Sequence, residues 1–292
     1  MRTRCVGSMA TFPGRVETLD LVVKNLSKQL DALYIYLNEF EETPEFLTQY
    51  ENVYPILGKD TFGDLVANGK MIFLDYEKDD YIAFTLDDDI VFPDDYVEHM
   101  SALLESMNYR VGLTVHGSII PDTASWYYER THVFGAKKSL NYHTAVNLVG
   151  SGTFVYHSKS IPLDFDDFTR EVYVDLHLSL AAFNNGIPLM AIKRETNWLK
   201  FIKYTGLWEQ FKVGVTHHTR IMQDSDLWRL SNIQNVWKDF LAAGGDDWFT
   251  YSTNNELDLD FCASIYSKSI PLNWRGSRVS MQKALIFSQE FE

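Results

Sequence analysis

The sequence predicts an α/β fold built on a mostly parallel sheet. Strand-like and helix-like segments alternate through the first half of the chain. Residues 81–86, Tyr-Ile-Ala-Phe-Thr-Leu, form a nearly continuous apolar and β-prone run, as a strand buried on both faces would. Three aspartates, Asp87, Asp88 and Asp89, follow at once. Ligands in open α/β sheets sit beyond the carboxyl ends of strands, and these carboxylates fall in that position.

Residues 5–10 read as the first strand. Pro13 and Gly14 then break the chain into a turn. Val16, Leu19, Val23, Leu26 and Leu30 recur at helical spacing, which predicts an amphipathic helix over 16–30. Residues 33–37 read as a second strand and 53–57 as a third. Pro55 lacks an amide hydrogen and would place that third strand at an edge or shorten it. After 81–86, Pro93, Asp94 and Asp95 open a helix through about Asn108, and 111–115 read as the next strand.

The second half is less regular. Residues 116–145 are rich in Tyr, His and Ser and read as a long excursion over the sheet. Residues 147–156 read as a glycine-broken strand, 172–185 as a helix stopped by Gly186, and 187–192 as a short strand. A core over 1–205 and an aromatic-rich C-terminal extension over 206–292 are expected, the extension packing on the core.

The chain has 292 residues, 46% of them hydrophobic and 14% aromatic, so a sizeable core is expected and disorder as a class is excluded. Its formal net charge of −14 weighs against nucleic-acid binding in the absence of a local basic patch. The two cysteines, Cys5 and Cys262, cannot make a disulfide framework and suit a reducing compartment. Neither a signal-peptide pattern nor an apolar run of membrane-spanning length occurs. A cytoplasmic location is expected, with peripheral association at the inner membrane face left open.

The aspartate cluster carries the most chemistry. If strand geometry persists, Asp87 and Asp89 point the same way. Such a pair suits a hard divalent cation, Mn²⁺ or Mg²⁺, whose shell is completed by water and phosphate oxygens. An acidic solvated turn is the alternative. Asp175 lies near the start of a predicted helix, as a helix-end anion or as a base for a hydroxyl nucleophile. Gly150, Ser151 and Gly152 offer close backbone approach or a simple bulge. Asp64 and Lys70 suit a nucleoside and a phosphate, or local ion pairing. Trp126 and Trp198 could stack on sugar rings or serve as cover, with Tyr127 and Tyr128 beside the first. His217 and His218 are adjacent, and His116 is a further weak candidate.

Taken in order, residues 8–15 (SMATFPGR), 33–38 (LYIYLN), 62–65 (FGDL), Gly69-Lys70, 85–90 (TLDDDI) and 92–97 (FPDDYV) resemble bacterial glycosyltransferases of the GT-A fold. Within these the sequence is similar to the transferase modules of capsular glycosaminoglycan-type (chondroitin, heparosan and hyaluronan) synthases. Residues 146–155, 174–177 and 184–189 extend the resemblance. It implies a nucleoside-diphosphate sugar donor, most often UDP-linked, a glycan or glycoconjugate acceptor, and Mn²⁺ or Mg²⁺. Thr11 and Arg15 would lie near base and phosphates, and Asp64 and Lys70 would border the nucleoside. Asp87 and Asp88 would join the nucleotide-binding set, with Asp89 as the principal metal ligand and Asp87 in its shell. Asp175 would remove the acceptor proton in an inverting member, and His218 or His217 would complete the metal or diphosphate contacts. Trp126, Trp198 and Gly152 would contact sugar or acceptor, acceptor choice residing in 116–145 and beyond 198. Synthases carry two transfer modules; this chain has room for one and would add one type of sugar. A metal-dependent phosphohydrolase or nucleotidyltransferase, and a non-catalytic carbohydrate-binding protein, are the competing readings.

Overall fold

Strand β1 (Arg4–Thr11) leads through a 3₁₀ turn at Pro13–Arg15 into helix α1 (Val16–Leu26), and β2 (Ala32–Leu37) and β3 (Val53–Leu57) follow. The computed structural model describes residues 2–121, 124–125, 127–130, 132–141, 143–168 and 174–202, with Ile221, Met222, Ser225 and Val236 beyond them. Thr18, Leu19, Val22, Val23 and Leu26 bury one face of α1. The helix ends four residues before the predicted Leu30. Asn52 accounts for the early stop: its side-chain amide donates to the carbonyls of Ser27 at 2.8 Å and Leu30 at 2.9 Å, closing the chain into a turn.

The chain continues through a 3₁₀ segment at Val66–Met71 and the short helix α2 (Phe73–Tyr76) into β4 (Tyr81–Leu86), β5 (Ile90–Val91) and α3 (Tyr96–Ser106). Next come β6 (Gly112–Thr114), β7 (Gly117–Ile119), β8 (His132–Phe134), β9 (Thr144–Val146), β10 (Leu148–Val149) and β11 (Thr153–His157). Helix α4 (Val174–Asn184), β12 (Leu189–Ala191) and β13 (Lys200–Phe201) complete the order.

Eight strands form the main sheet, in the order β3-β2-β1-β4-β11-β6-β12-β9. β1 pairs in parallel with β2 and β4, β2 with β3, and β6 with β12. β11 lies antiparallel between β4 and β6, and β9 antiparallel on β12. The sheet is therefore mostly parallel, as expected. β3 is an edge strand, which spares its Pro55 the missing ladder bond. Every residue of β2 and β4 is buried. Each fully buried Leu, Ile or Phe there stabilises the fold by about 1.5–3 kcal/mol.

Two expectations for the second half are refined. Residues 116–145 contain three strands; β7 and β8 belong, with β10, to a separate three-stranded sheet. The segment at 147–156 is two strands in different sheets, and Gly150–Gly152 is the turn between them. The proposed extension over 206–292 lies almost wholly outside the described residues. Among those described, no helix is long and apolar enough to cross a membrane.

Candidate active site

Four segments meet at the carboxyl ends of β1 and β4. β1 ends at Thr11, which is buried, and the turn behind it delivers Arg15. The segment Val66–Met71 packs on β1 and β2 and carries Lys70. Gly69 permits this packing, since a Cβ there would lie 2.4 Å from the Tyr36 ring. β4 ends at Leu86 and turns through Asp87, Asp88 and Asp89. Across the sheet, Thr153 of β11 pairs with Leu86, and this register sets Gly152 against Asp87.

The strand geometry does not persist through the aspartates. Asp88 turns inward, where Arg15 Nη1 meets its Oδ1 at 2.8 Å. The same nitrogen lies 2.7 Å from Asp89 Oδ2. Asp87 takes Lys70 Nζ on its Oδ1 at 2.5 Å. Lys70, almost fully enclosed, also lies 3.4 Å from Ser151 Oγ. Two cations thus hold three carboxylates, leaving the cluster net negative when all are ionised.

Electrostatics reflect that imbalance. Burial pushes the Asp88 carboxyl up to about 6; Arg15 and the Thr11 hydroxyl oppose the rise, and Asp89 and Asp87 add to it. Burial and the neighbouring Asp87 also raise Asp89, against the pull of Arg15 and Lys70. For Arg15 burial works against the charge, but Asp88 and Asp89 outweigh it and raise the guanidinium above its ordinary value.

Asp175 sits in the first turn of α4. Its Oδ1 accepts the Ser151 amide hydrogen at 2.8 Å, while its main-chain carbonyl accepts from Ser179 Oγ at 2.7 Å. The turn 150–152 therefore touches both parts of the site. Ser151 reaches Asp175 through its amide and Lys70 through its hydroxyl, and Gly152 abuts Asp87. A Cβ on Gly152 would lie 2.0 Å from Asp87 Oδ2, so only glycine fits without displacing the carboxylate.

Asp64 and Trp198 stand apart from this cluster. Asp64 is exposed and its Oδ1 accepts from the Val66 amide at 2.9 Å, so it shapes the turn ahead of Lys70. That turn is strained: Val66, β-branched, has φ +49°. Asn38, unmarked in the sequence reading as a site residue, clamps it by accepting from the Leu65 amide and donating to the Val66 carbonyl. Trp198 packs on α3, 5.6 Å from the Tyr96 ring and 5.4 Å from His99 between centroids. Trp126, His217 and His218 lie outside the described residues. Sequence reasoning also missed Arg130, which stacks on Tyr127 and Tyr128; no motif announces it.

Among the described residues no three His, Cys, Asp or Glu side chains converge on one metal position. Asp87 and Asp89 offer a pair of carboxylates whose mutual repulsion a cation would relieve. Mg²⁺ and Mn²⁺ in nucleotide sites commonly take one or two protein carboxylates and draw the remaining oxygens from phosphate and water. The residues present fit that pattern.

No family model matches the sequence, and no curated protein matches it. Solved structures do. The chain is similar to S. aureus TarS 1-349 in complex with UDP-GlcNAc, at 13% identity and a TM-score of 0.53, over 98% of this chain and 80% of that one. It is similar to S. aureus TarS 1-349 as well, at 11% identity and a TM-score of 0.51, over 98% and 79%. The fold is GT-A, the class expected from the sequence.

Proposed function

From that fold and this rim, we propose that the protein is a glycosyltransferase. It moves one sugar from a nucleoside-diphosphate donor, UDP-linked, to a hydroxyl of a glycan or glycoconjugate, with inversion. The observation that carries the reading is the turn 150–152, which ties the aspartate cluster to Asp175 through the Ser151 amide. The UDP-GlcNAc bound by TarS supports a UDP-linked donor. The finer kinship, with single transfer modules of capsular glycosaminoglycan-type synthases, belongs to the same proposal, as does a cytoplasmic location.

Arg15 and Lys70 lie where donor phosphates would approach the carboxyl ends of β1 and β4. Both cations are already oriented by carboxylates, so they meet the diphosphate without reorganising. Asp175 accepts the acceptor hydroxyl proton as the oxygen bonds the anomeric carbon. The bond from that carbon to the diphosphate oxygen breaks, and the nucleoside diphosphate leaves with its electron pair. The Ser151 amide holds the carboxylate in one orientation during this step. A divalent cation on Asp89 and Asp87, Mn²⁺ or Mg²⁺, would supply charge neutralisation of the leaving diphosphate.

Calorimetric titration with UDP-, GDP-, CDP- and dTDP-sugars, with and without Mn²⁺, tests the reading. Metal-dependent binding of a UDP-sugar is expected. Binding of no nucleotide sugar in folded protein would turn the case toward a phosphohydrolase or a glycan-binding protein.

A further inference from the structure

Ser179 takes no part in the chemistry above. It is fully buried, one helical turn beyond Asp175 on α4. Its hydroxyl makes two hydrogen bonds. It donates to the Asp175 main-chain carbonyl at 2.7 Å and accepts the Val149 amide hydrogen at 3.1 Å. A hydroxyl has one hydrogen to give and lone pairs to receive, so both bonds form at once. Val149 ends β10, the edge strand of the small sheet, and the turn 150–152 follows directly.

The other buried residues of α4 are Val174, Leu176, Leu178, Ala182 and Phe183, all apolar. Alanine at 179 would suit such a helix better than serine does. A serine that only returns to the carbonyl four residues back weakens a helix slightly. The Val149 amide is what the hydroxyl gains, and through it α4 is docked on the strand that leads into the turn. The turn itself is held from the opposite side. Gly150 donates its amide hydrogen to the His116 carbonyl at 2.7 Å, and Thr153 Oγ1 accepts the amides of Val115 at 3.1 Å and His116 at 3.2 Å. The base helix is therefore tied twice to a fixed turn. The Ser151 amide orients the Asp175 carboxylate, while Ser179 holds the main chain from which that side chain springs. With the second tie cut, the main chain at Asp175 can slide, and the first bond survives only if the side chain changes its torsions.

We infer that Ser179 is a positioning residue for the proposed transfer: its hydroxyl keeps the main chain of Asp175 in register with the turn that borders the donor, and so places the base. This rests on the transferase reading with Asp175 as its base. Ser179 itself touches no substrate. A misplacement of about 1 Å can cost about a hundredfold in rate. Donor affinity should be indifferent to it, because Arg15 and Lys70 sit on other elements.

Ser179→Ala removes the bridge and keeps the apolar packing. Ser179→Thr keeps a hydroxyl able to bond the same carbonyl. Amide hydrogen exchange reads the bridge without donor or acceptor. In wild type the Val149 amide should be strongly protected. In Ser179→Ala the Val149 and Ser151 amides should exchange about tenfold faster or more, while those of β1 and β4 keep their rates. UDP release from the UDP-sugar that calorimetry selects, with water and a panel of aryl glycosides as acceptors, reads the rate. Ser179→Ala should lower kcat about 10- to 100-fold with the donor Kd within about twofold, and Ser179→Thr should recover most of the loss. In an Asp175→Asn background the Ser179→Ala effect on kcat should vanish, since no base remains to be placed. A Val149 amide that exchanges freely in wild type overturns the bridge, a result that needs no folded variant. Unchanged Ser151 exchange in Ser179→Ala overturns it as well. Faster exchange with unchanged kcat overturns the positioning role, and so does an equal loss of kcat in the Asp175→Asn background. Wild type that binds no UDP-sugar, or releases UDP from none, overturns the transferase reading instead, and the exchange rates still decide the bridge.

Discussion

Ser151 and Asp175 are joined by one hydrogen bond, the serine amide donating to Asp175 Oδ1 at 2.8 Å. A backbone donor cannot rotate away as a side chain can, so the carboxylate inherits the rigidity of the turn between β10 and β11. The same serine touches Lys70, which holds Asp87. The proposed base is thus positioned by the turn that borders the donor site.

Asp175→Asn separates this role from donor binding. The amide keeps the shape and one acceptor oxygen, so the Ser151 bond survives. The ability to take a proton does not. Turnover should fall by about 10²–10⁴-fold with the UDP-sugar dissociation constant nearly unchanged. Steady-state rates with the preferred donor, paired with calorimetry, provide the check; full turnover would remove Asp175 from the mechanism.

Arg15 carries stability as well as function. Its side chain and that of Asp88 are each less than a tenth exposed. Arg15→Gln would leave a buried carboxylate without its cation, and breaking such a pair costs about 3–5 kcal/mol. Arg15→Gln with Asp88→Asn removes the stranded charge and should recover most of that loss. Urea midpoints of the three proteins measure it. Equal stability of the single and double variants would show that Asp88 is not the stranded group.

Gly152→Ala tests the close approach on the other side of the cluster. The new methyl would fall on Asp87 Oδ2, and Asp87 is pinned by Lys70. The carboxylate must swing aside or the turn must shift. Either change should weaken UDP-sugar binding by about tenfold. Unchanged affinity would mean that Asp87 can move without consequence for the donor.

Much of this arrangement is legible in the sequence, for identifiable reasons. Residues 53–57 and 81–86 match β3 and β4 residue for residue, because Pro55 and a continuous apolar run mark them. The aspartates stand out because three adjacent carboxylates after a buried strand have no packing purpose. The inward turn of Asp88 is not legible, since it depends on Arg15, 73 residues earlier, lying beneath it. The antiparallel insertion of β11 is equally hidden: strand direction follows from the path of the connection, and the residues of 153–157 would suit either sense.

His116 gives the site a pH signature. It lies beside Gly150, whose Cβ, if present, would meet its ring at 2.9 Å. Burial lowers its pKa below the ordinary 6.5; Arg194 and Arg130 lower it further, against Asp175 and Asp87. A histidine whose folded pKa is depressed contributes stability that is fully present above about 6.5, and that is lost as pH falls toward the folded value, because the unfolded chain binds the proton first. Stability should therefore decline on acidification below pH 6.5, and His116→Gln should flatten the decline. Asp88 titrates in the opposite sense: held up to about 6, it favours the folded state most below the ordinary carboxyl range and loses that contribution as pH rises through 6. That slope is common to both proteins and cancels in their difference. Denaturant midpoints of wild type and His116→Gln between pH 8 and 5 isolate the histidine. Parallel curves would show that His116 titrates alike in folded and unfolded chains, and that the turn at 150–152 does not depend on keeping it neutral.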